Sequence, residues 1–135
     1  MQKNKTEIVA MVKDADWKKI VSKQQTAIMQ HTRPFEKEFP CPFNIYFFVP
    51  KQKAVCGFGI VEKIIYTHIA EGLAEETGIS FQEQQNFSKG EKIFCWYIKH
   101  VVVYDESKPI ERFGLKRSPH DYRYIATVDA DLRKR

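Results

Sequence analysis

The sequence predicts a single α+β domain in which a small mixed β-barrel is flanked by short helices. Three observations indicate this class. Several segments are rich in β-branched and aromatic residues, and the longest, 92–104, is apolar on both faces until Lys99, as expected for a barrel wall that a helix covers. Gly57 and Gly59 interrupt another such segment, 54–65, and indicate a bulge or sharp bend of the kind that a small barrel needs. Segments with helical spacing separate the strands.

The N-terminal part predicts a strand, a helix and two further strands. Residues 8–12 form a short apolar run that is typical of a strand. Asp14 and Asp16 then stand where a helix N-terminus favours acids. A stripe at helical spacing follows them, formed by Trp17, Ile20, Val21 and Gln24. Residues 26–32 alternate loosely as a strand, and a proline-punctuated loop leads to the strand 43–49.

The second half of the sequence predicts two more helices and, near its end, a helical turn and a strand. Thr67 can cap an acidic helix that ends at Gly78. The S-x-x-E pattern at 80–83 is a capping box, and it begins another short helix. After the long strand, the sequence predicts a helical turn at 110–113 and a final strand at 122–125.

Composition and length fit one domain with a packed core. The chain has 135 residues, of which 43% are hydrophobic, and no repeat or linker divides it. We expect the domain to occupy residues 1–135, with its core over about 8–125 and a basic tail, 129–135, whose last residues, 131–135, are solvated. The longest strictly apolar run is 93–98. A membrane helix needs ~18 residues and a signal-peptide core ~7–15, so the expected compartment is the cytoplasm.

The cysteines and histidines indicate neither disulfides nor a metal site. Cys41, Cys56 and Cys95 are odd in number and contain no C-x-x-C pair, so we expect them to be reduced and mostly packed. No two of the four histidines are four residues apart. The sequence also lacks a dinucleotide-binding fingerprint, a P-loop and the G-x-S-x-G and H-E-x-x-H motifs. It therefore predicts no metal and no cofactor.

The net charge of +5 is unevenly distributed. Residues 1–23 and 108–135 are basic, whereas residues 67–91 carry five glutamates and one lysine. Clustered lysine and arginine favour a polyanionic partner, because phosphate neutralisation needs cations close together. A net charge of this size is equally typical of ordinary solubility. Charge alone therefore leaves both interpretations open.

Several short segments occur in a characteristic order. They are KIVS at 19–22 with Thr26, PFNIYF at 42–47, AVCGF at 54–58, AEETGIS at 74–80, KPI at 108–110, FGLK at 113–116 and PHDYRYI at 119–125. Together they resemble the ASCH domain (activating signal cointegrator homology) of the PUA-like superfamily, over nearly the whole chain.

The resemblance implies a cleft between the barrel and the segment after the first helix. Similar domains bind RNA or single-stranded nucleic acid, and some relatives hydrolyse acylated cytidine nucleosides with a lysine, a threonine or glutamate, and a further glutamate around that cleft. Here Gln25, Ile28 and Gln30 stand where a basic residue, a hydroxyl or carboxylate, and an arginine are expected, and only Thr26 is retained. Glutamine cannot serve as a lysine base, and isoleucine accepts no proton. The resemblance therefore favours a nucleic-acid-binding module without chemistry of its own.

Under this interpretation, the binding residues fall into three groups. Polar groups that could read a base edge are Gln25, Thr26, Gln30 and His31, with His120 in the closing loop. Candidate phosphate contacts are Lys18, Lys19, Lys23, Arg33, Lys116, Arg117 and Arg123. Candidate stacking aromatics are Tyr46, Trp96 and Tyr122.

Two other functions remain open. One is amide hydrolysis of an acylated or modified cytidine nucleoside, with Thr26, His31, Glu76 or Glu36 in the catalytic roles. The other is a coactivator-like adaptor that binds a protein partner. Its contact surface would be the acidic helix, through Glu71, Glu75 and Glu76. We expect no membrane partner, and a monomer or weak dimer.

Overall fold

One mixed six-stranded sheet forms the centre of the fold, in a computed structural model that describes residues 5–34 and 39–135. The strands are β1 Lys5–Met11, β2 Ala27–Gln30, β3 Phe43–Val49, β4 Ala54–Thr67, β5 Ile93–Lys108 and β6 Tyr122–Ala126. Their order across the sheet is β2-β5-β4-β3-β1-β6. Only β1 and β3 pair in parallel; the other pairs are antiparallel. The α+β class is confirmed.

Within the described residues, three short α-helices flank the sheet. They are α1 Asp14–Val21, α2 Glu71–Thr77 and α3 Phe81–Ser88, and two 3-10 helices follow at Ile110–Phe113 and Ala130–Arg133. The predicted cap at Ser80 is confirmed, because its hydroxyl accepts a hydrogen bond from the Glu83 amide at 3.1 Å, while the Glu83 carboxylate lies beside Lys19. The predicted cap at Thr67 is wrong, since Thr67 is the last residue of β4 and α2 begins at Glu71. Among the described residues, no helix has the length and apolarity that crossing a membrane requires.

The sheet is curled but is not closed into the predicted barrel. β2 and β6 are its two edges, and the segment just after β2 contacts β6 through a side chain. The Thr32 hydroxyl lies 2.8 Å from the Tyr122 hydroxyl, and the Trp96 indole donates to the Thr32 carbonyl at 3.3 Å. β2 pairs with β5 over only four residues before the chain leaves the sheet at His31. The short edge strand therefore ends before a ladder with β6 can form.

The bulges predicted in the second β-rich segment occur in β4. Its register with β5 shifts between Val55 and Gly57, and again between Phe58 and Ile60. A Cβ at Gly57 would lie 2.4 Å from the Val102 carbonyl oxygen and 2.7 Å from the Trp17 ring. Glycine therefore lets β5 and α1 approach β4 closely at the bend.

Apolar side chains cover both faces of the sheet. α1 buries Trp17 and Ile20 against the first face. The predicted helical stripe is wrong at its end, because Val21 is 43% exposed and Gln24 lies beyond the helix in an exposed position. α1 ends at Val21, so it is too short to carry Gln24 on its buried face. Cys56 and Cys95 are buried free thiols and Cys41 is half-buried, as expected, and burial raises the pKa of Cys95 to about 11.

Leu132 docks the C-terminal tail on the second face of the sheet. Leu132 is 1% exposed and belongs to the cluster that contains Tyr46 and Tyr104. The Tyr104 hydroxyl donates to the Leu132 carbonyl, and Arg112 pairs with Asp131 at 3.0 Å. The prediction of a solvated tail is therefore wrong at Leu132, which completes this core, and is confirmed for the other residues of 131–135, which are exposed.

A buried carboxylate joins β1 to β3 and to the segment after β6. Glu7 is 2% exposed and is the only buried charged residue among those described. One carboxylate oxygen accepts hydrogen bonds from Asn44 Nδ2 at 2.7 Å and from the Tyr46 hydroxyl at 2.9 Å. The other accepts from the Val128 amide at 2.8 Å. Burial, with the adjacent Glu7 charge, raises the pKa of Tyr46 far above its usual value, so its hydroxyl stays protonated and donates.

Candidate functional site

A cleft of about 530 Å³ lies between α1, β2 and α3. It adjoins the segment after the first helix, where the resemblance implied a cleft. We call it the α1–α3 cleft. Its principal lining side chains are Asp16, Lys19, Gln25, Ile28, Gln30, His31, Glu83 and Phe87.

Gln25 brings an unpartnered acceptor to the wall of the α1–α3 cleft. Its side chain is 4% exposed, and its Nε2 donates to the Ala27 carbonyl at 2.9 Å. The Oε1 atom is enclosed and has no hydrogen-bond partner among the described residues. Turning the amide over would place two oxygens against each other, so the bond to Ala27 fixes its orientation. A buried acceptor without a partner costs about 1–3 kcal/mol, and such groups commonly mark functional positions.

A charged cluster bridges α1 and α3 across the cleft. Lys19 Nζ donates to the Gly78 carbonyl at 2.6 Å and lies 3.5 Å from Glu83 Oε1. Burial, followed by the nearby charge of Glu83, raises the pKa of Asp16. The sequence predicted Lys19 as a phosphate contact but assigned Asp16 and Glu83 only to helix N-termini. The spacing of Asp16 and Lys19 places them on one helix face, whereas nothing local indicated that α3 would supply their partner.

An aromatic pair lies at the rim of the cleft. His31 is exposed, and its ring stacks on Phe87 with centroids 4.0 Å apart and planes 7° from parallel. The pair presents a flat surface beside the polar floor formed by Gln25 and Gln30. Flat aromatic surfaces of this kind accept planar heterocycles.

The predicted catalytic alternative is not brought together. Thr26 and Lys23 line a second cavity, of about 360 Å³, and the Thr26 hydroxyl donates to the Glu76 carbonyl at 3.2 Å. The Glu76 side chain is exposed and lies near Tyr97, whose pKa is raised by burial and, to a smaller extent, by this glutamate. Of the members of the proposed set that the structure describes, His31 alone lines the α1–α3 cleft. Glu36 lies outside the described residues.

A third cavity, of about 410 Å³, is strongly basic. We call it the basic pocket; four cations and two tyrosines line it, namely Lys5, Lys116, Arg117, Arg123, Tyr122 and Tyr124. No acidic side chain lines it within the described chain, and its four cations form no ion pair with another described residue. By contrast, Lys18 and Lys51 both pair with Asp14. Three predicted phosphate contacts therefore lie together, and Lys5 joins them.

Two predicted stacking residues are unavailable to a ligand. Tyr46 and Trp96 are both 0% exposed, and Tyr46 is bonded to Glu7, so the prediction that they stack a base is wrong. β3 and β5 are covered on both faces, which buries these rings. The half-buried Tyr122 remains. The other predicted residues vary in exposure: Arg33 is half-buried, and His120, Glu71 and Glu75 are exposed.

The fold and the cleft define the class of this protein as an α+β domain with one mixed sheet and flanking helices. No family model matches the chain, and no curated protein matches it. Solved structures of the ASCH protein from Zymomonas mobilis do match. That protein gives a TM-score of 0.73 at 18% identity, over 89% of this chain and 87% of that chain.

Two variants of the Zymomonas mobilis protein are similar as well. A serine-to-alanine variant gives a TM-score of 0.73 at 16% identity, over 92% of this chain and 91% of that chain. A tyrosine-to-phenylalanine variant gives 0.72 at 20% identity, over 89% and 90% respectively. The chain therefore has the ASCH fold, which confirms at the level of the fold the resemblance found in the sequence.

Proposed function

We propose that this protein binds single-stranded nucleic acid, with RNA as the expected ligand, and performs no chemistry on it. The basic pocket is the observation that carries this proposal. Lys116, Arg117 and Arg123 converge there without acidic neutralisation among the described lining residues, which is the arrangement that phosphate neutralisation requires. Tyrosines on the same wall offer rings on which bases stack.

The α1–α3 cleft is placed to receive a base from a strand held at the basic pocket. Asp121 lines the cleft and the next residue, Tyr122, lines the basic pocket. Thr32, which follows the cleft residue His31, is bonded to Tyr122. Among its described lining residues, the cleft has equal numbers of acids and lysines, namely Asp16, Glu83, Asp121, Lys13, Lys19 and Lys89. That balance favours an uncharged base there and the phosphates in the basic pocket.

The double variant Lys116→Ala/Arg123→Ala is expected to weaken binding of single-stranded RNA. Each lost phosphate contact removes about 0.7 from the slope of log affinity against log salt. Loss of two contacts therefore makes that slope shallower by about 1.4 and reduces the affinity roughly tenfold at ~0.15 M salt. Fluorescence anisotropy with a labelled oligonucleotide at several salt concentrations measures both quantities.

The matched control is Lys51→Ala/Lys99→Ala, which removes the same charge from lysines that pair with Asp14 and Glu62. This control should leave the affinity within about twofold, because neither lysine lines the basic pocket and each already lies beside a carboxylate. An equal loss in both double variants, or binding that does not depend on salt, contradicts the proposal.

A second candidate function is amide hydrolysis of an acylated cytidine, favoured by the charged cluster in the cleft. Glu83 and Lys19 lie 3.5 Å apart, and Asp16 lies beside them; together they could supply the proton-transferring groups that Gln25 and Ile28 lack. N4-acetylcytidine should then be converted with water into cytidine and acetate, and Glu83→Gln should abolish the conversion. Glu76→Gln, outside the cleft, is the control and should retain it. Chromatography measures the cytidine; none released at high protein concentration excludes this function.

A further inference from the structure

The open end of the curled sheet carries a continuous set of aromatic side chains, here called the aromatic band. Its members are Tyr66, Phe94, Trp96, Tyr122 and Tyr124. Tyr66 stacks on Phe94 with centroids 4.5 Å apart and planes at 27°. Phe94 and Trp96 are two residues apart on β5 and share one face of the strand. Trp96 contacts Tyr122 at 4.8 Å, and Tyr122 contacts Tyr124 at 5.8 Å.

Both ends of the aromatic band are exposed. Tyr66 is 56% exposed and Tyr124 is 37% exposed, and they are two of the four exposed large apolar side chains among the described residues. Phe94 and Tyr122 are half-buried, while Trp96 is enclosed beneath them. The band therefore presents an exposed ring at each end, and the rings between them are half-buried or buried.

The Tyr66 end is open because β4 extends beyond the end of its partner strand β3. The ladder between β3 and β4 ends at the pair Phe43 and Val61. The remaining part of β4, 62–67, pairs only with β5 among the described residues. No described strand therefore lies beside the Tyr66–Phe94 stack on that side.

Cations flank the aromatic band along its length. Lys92 Nζ lies 5.2 Å from the centre of the Tyr66 ring. Arg33 follows Thr32, whose carbonyl accepts the Trp96 indole hydrogen bond. The basic pocket contains the Tyr122 end. Lys92 and Arg33 form no ion pair with another described residue.

This combination matches a polyanion with exposed rings better than a protein partner. Lysine is depleted at the centre of protein interfaces, whereas alternating aromatic rings and cations are the pattern that holds single strands. A duplex keeps its bases stacked inside and offers no free ring to Tyr66. We propose that a single strand held at the basic pocket continues across the aromatic band and stacks a base on Tyr66. This inference rests on the proposed nucleic-acid function and adds its path.

Tyr66→Leu is expected to lower the affinity for single-stranded RNA about fivefold or more, because base–aromatic stacking is lost. The salt slope should stay unchanged, since the ring carries no charge. Tyr66→Phe should retain the wild-type affinity because it keeps the stacking surface. Ile65→Ala is the matched control: Ile65 is 38% exposed on the same strand but on the opposite face of the sheet. Fluorescence anisotropy with the same labelled oligonucleotide measures all four proteins.

The outcomes separate this inference from the proposed function. If Tyr66→Leu binds as tightly as the wild type while Lys116→Ala/Arg123→Ala binds more weakly, the path across the band is wrong and nucleic-acid binding stands. If the wild type shows no salt-dependent binding, the proposed function fails with it. If Tyr66→Leu leaves RNA affinity unchanged and instead alters the oligomeric state in sedimentation, the band is a protein contact and the inference is overturned.

Discussion

Replacing Glu7 with alanine is expected to lower the free energy of unfolding by about 3–5 kcal/mol, the sum expected when several enclosed hydrogen-bond donors lose their acceptor. The substitution removes the acceptor of three donors at once: Asn44 Nδ2, the Tyr46 hydroxyl and the Val128 amide. Each buried donor left without a partner costs about 1–3 kcal/mol. Tyr46 is 0% exposed, so its hydroxyl has no access to bulk water.

Urea unfolding monitored by tryptophan fluorescence measures this loss. Glu7→Gln should be intermediate, because the amide keeps one acceptor oxygen but presents an NH₂ group to donors. The control is Glu62→Gln, since Glu62 is half-exposed and lies 3.8 Å from Lys99. Its effect should stay within about 0.5 kcal/mol. Equal unfolding free energies for Glu7→Ala and Glu62→Gln would show that the carboxylate does not hold β1, β3 and the C-terminal segment together.

The elements that the sequence predicted best have local signals. The strand 43–49 is bracketed by prolines and occurs with those bounds, and Ser80 caps the third helix as expected. The prediction that Thr67 caps a helix was wrong because β4 continues to pair with β5 beyond residue 65. Long-range pairing therefore overrode a local capping preference. The docking of Leu132 likewise depends on Tyr104, which is distant in sequence.

The residues of the candidate site likewise divide into those that local sequence predicts and those that depend on the fold. The predicted cations Lys116, Arg117 and Arg123 lie close in sequence, and the structure places them in one pocket. The prediction that Tyr46 stacks a base was wrong because the strand 43–49 has apolar residues on both faces. That pattern already indicates burial on both sides of the sheet. Glu83 escaped prediction because its partner Lys19 comes from a different helix. Gln25 was predicted as a polar contact, but its orphaned oxygen depends on the fold around it.

Gly78→Ala is expected to destabilise the protein by at least about 2 kcal/mol, because two effects add. Gly78 ends α2 with φ at 78°, in the left-handed region that alanine rarely adopts. A Cβ there would also lie 1.7 Å from the Gln24 carbonyl oxygen and 3.0 Å from Gln25 Cα. Both are backbone atoms, so the segment after α1 would have to move away from the connection between α2 and α3.

Gly72→Ala is the matched control, because Gly72 lies in the same helix and a Cβ there meets no atom within 4 Å. Alanine should stabilise that position by about 0.5–1 kcal/mol through its higher helix propensity. Urea unfolding should therefore shift in opposite directions for the two variants. Shifts of the same sign and size would mean that the segment carrying Gln25 does not depend on close contact at Gly78. Since the Gly78 carbonyl also accepts from Lys19, the same contact positions the lysine of the α1–α3 cleft.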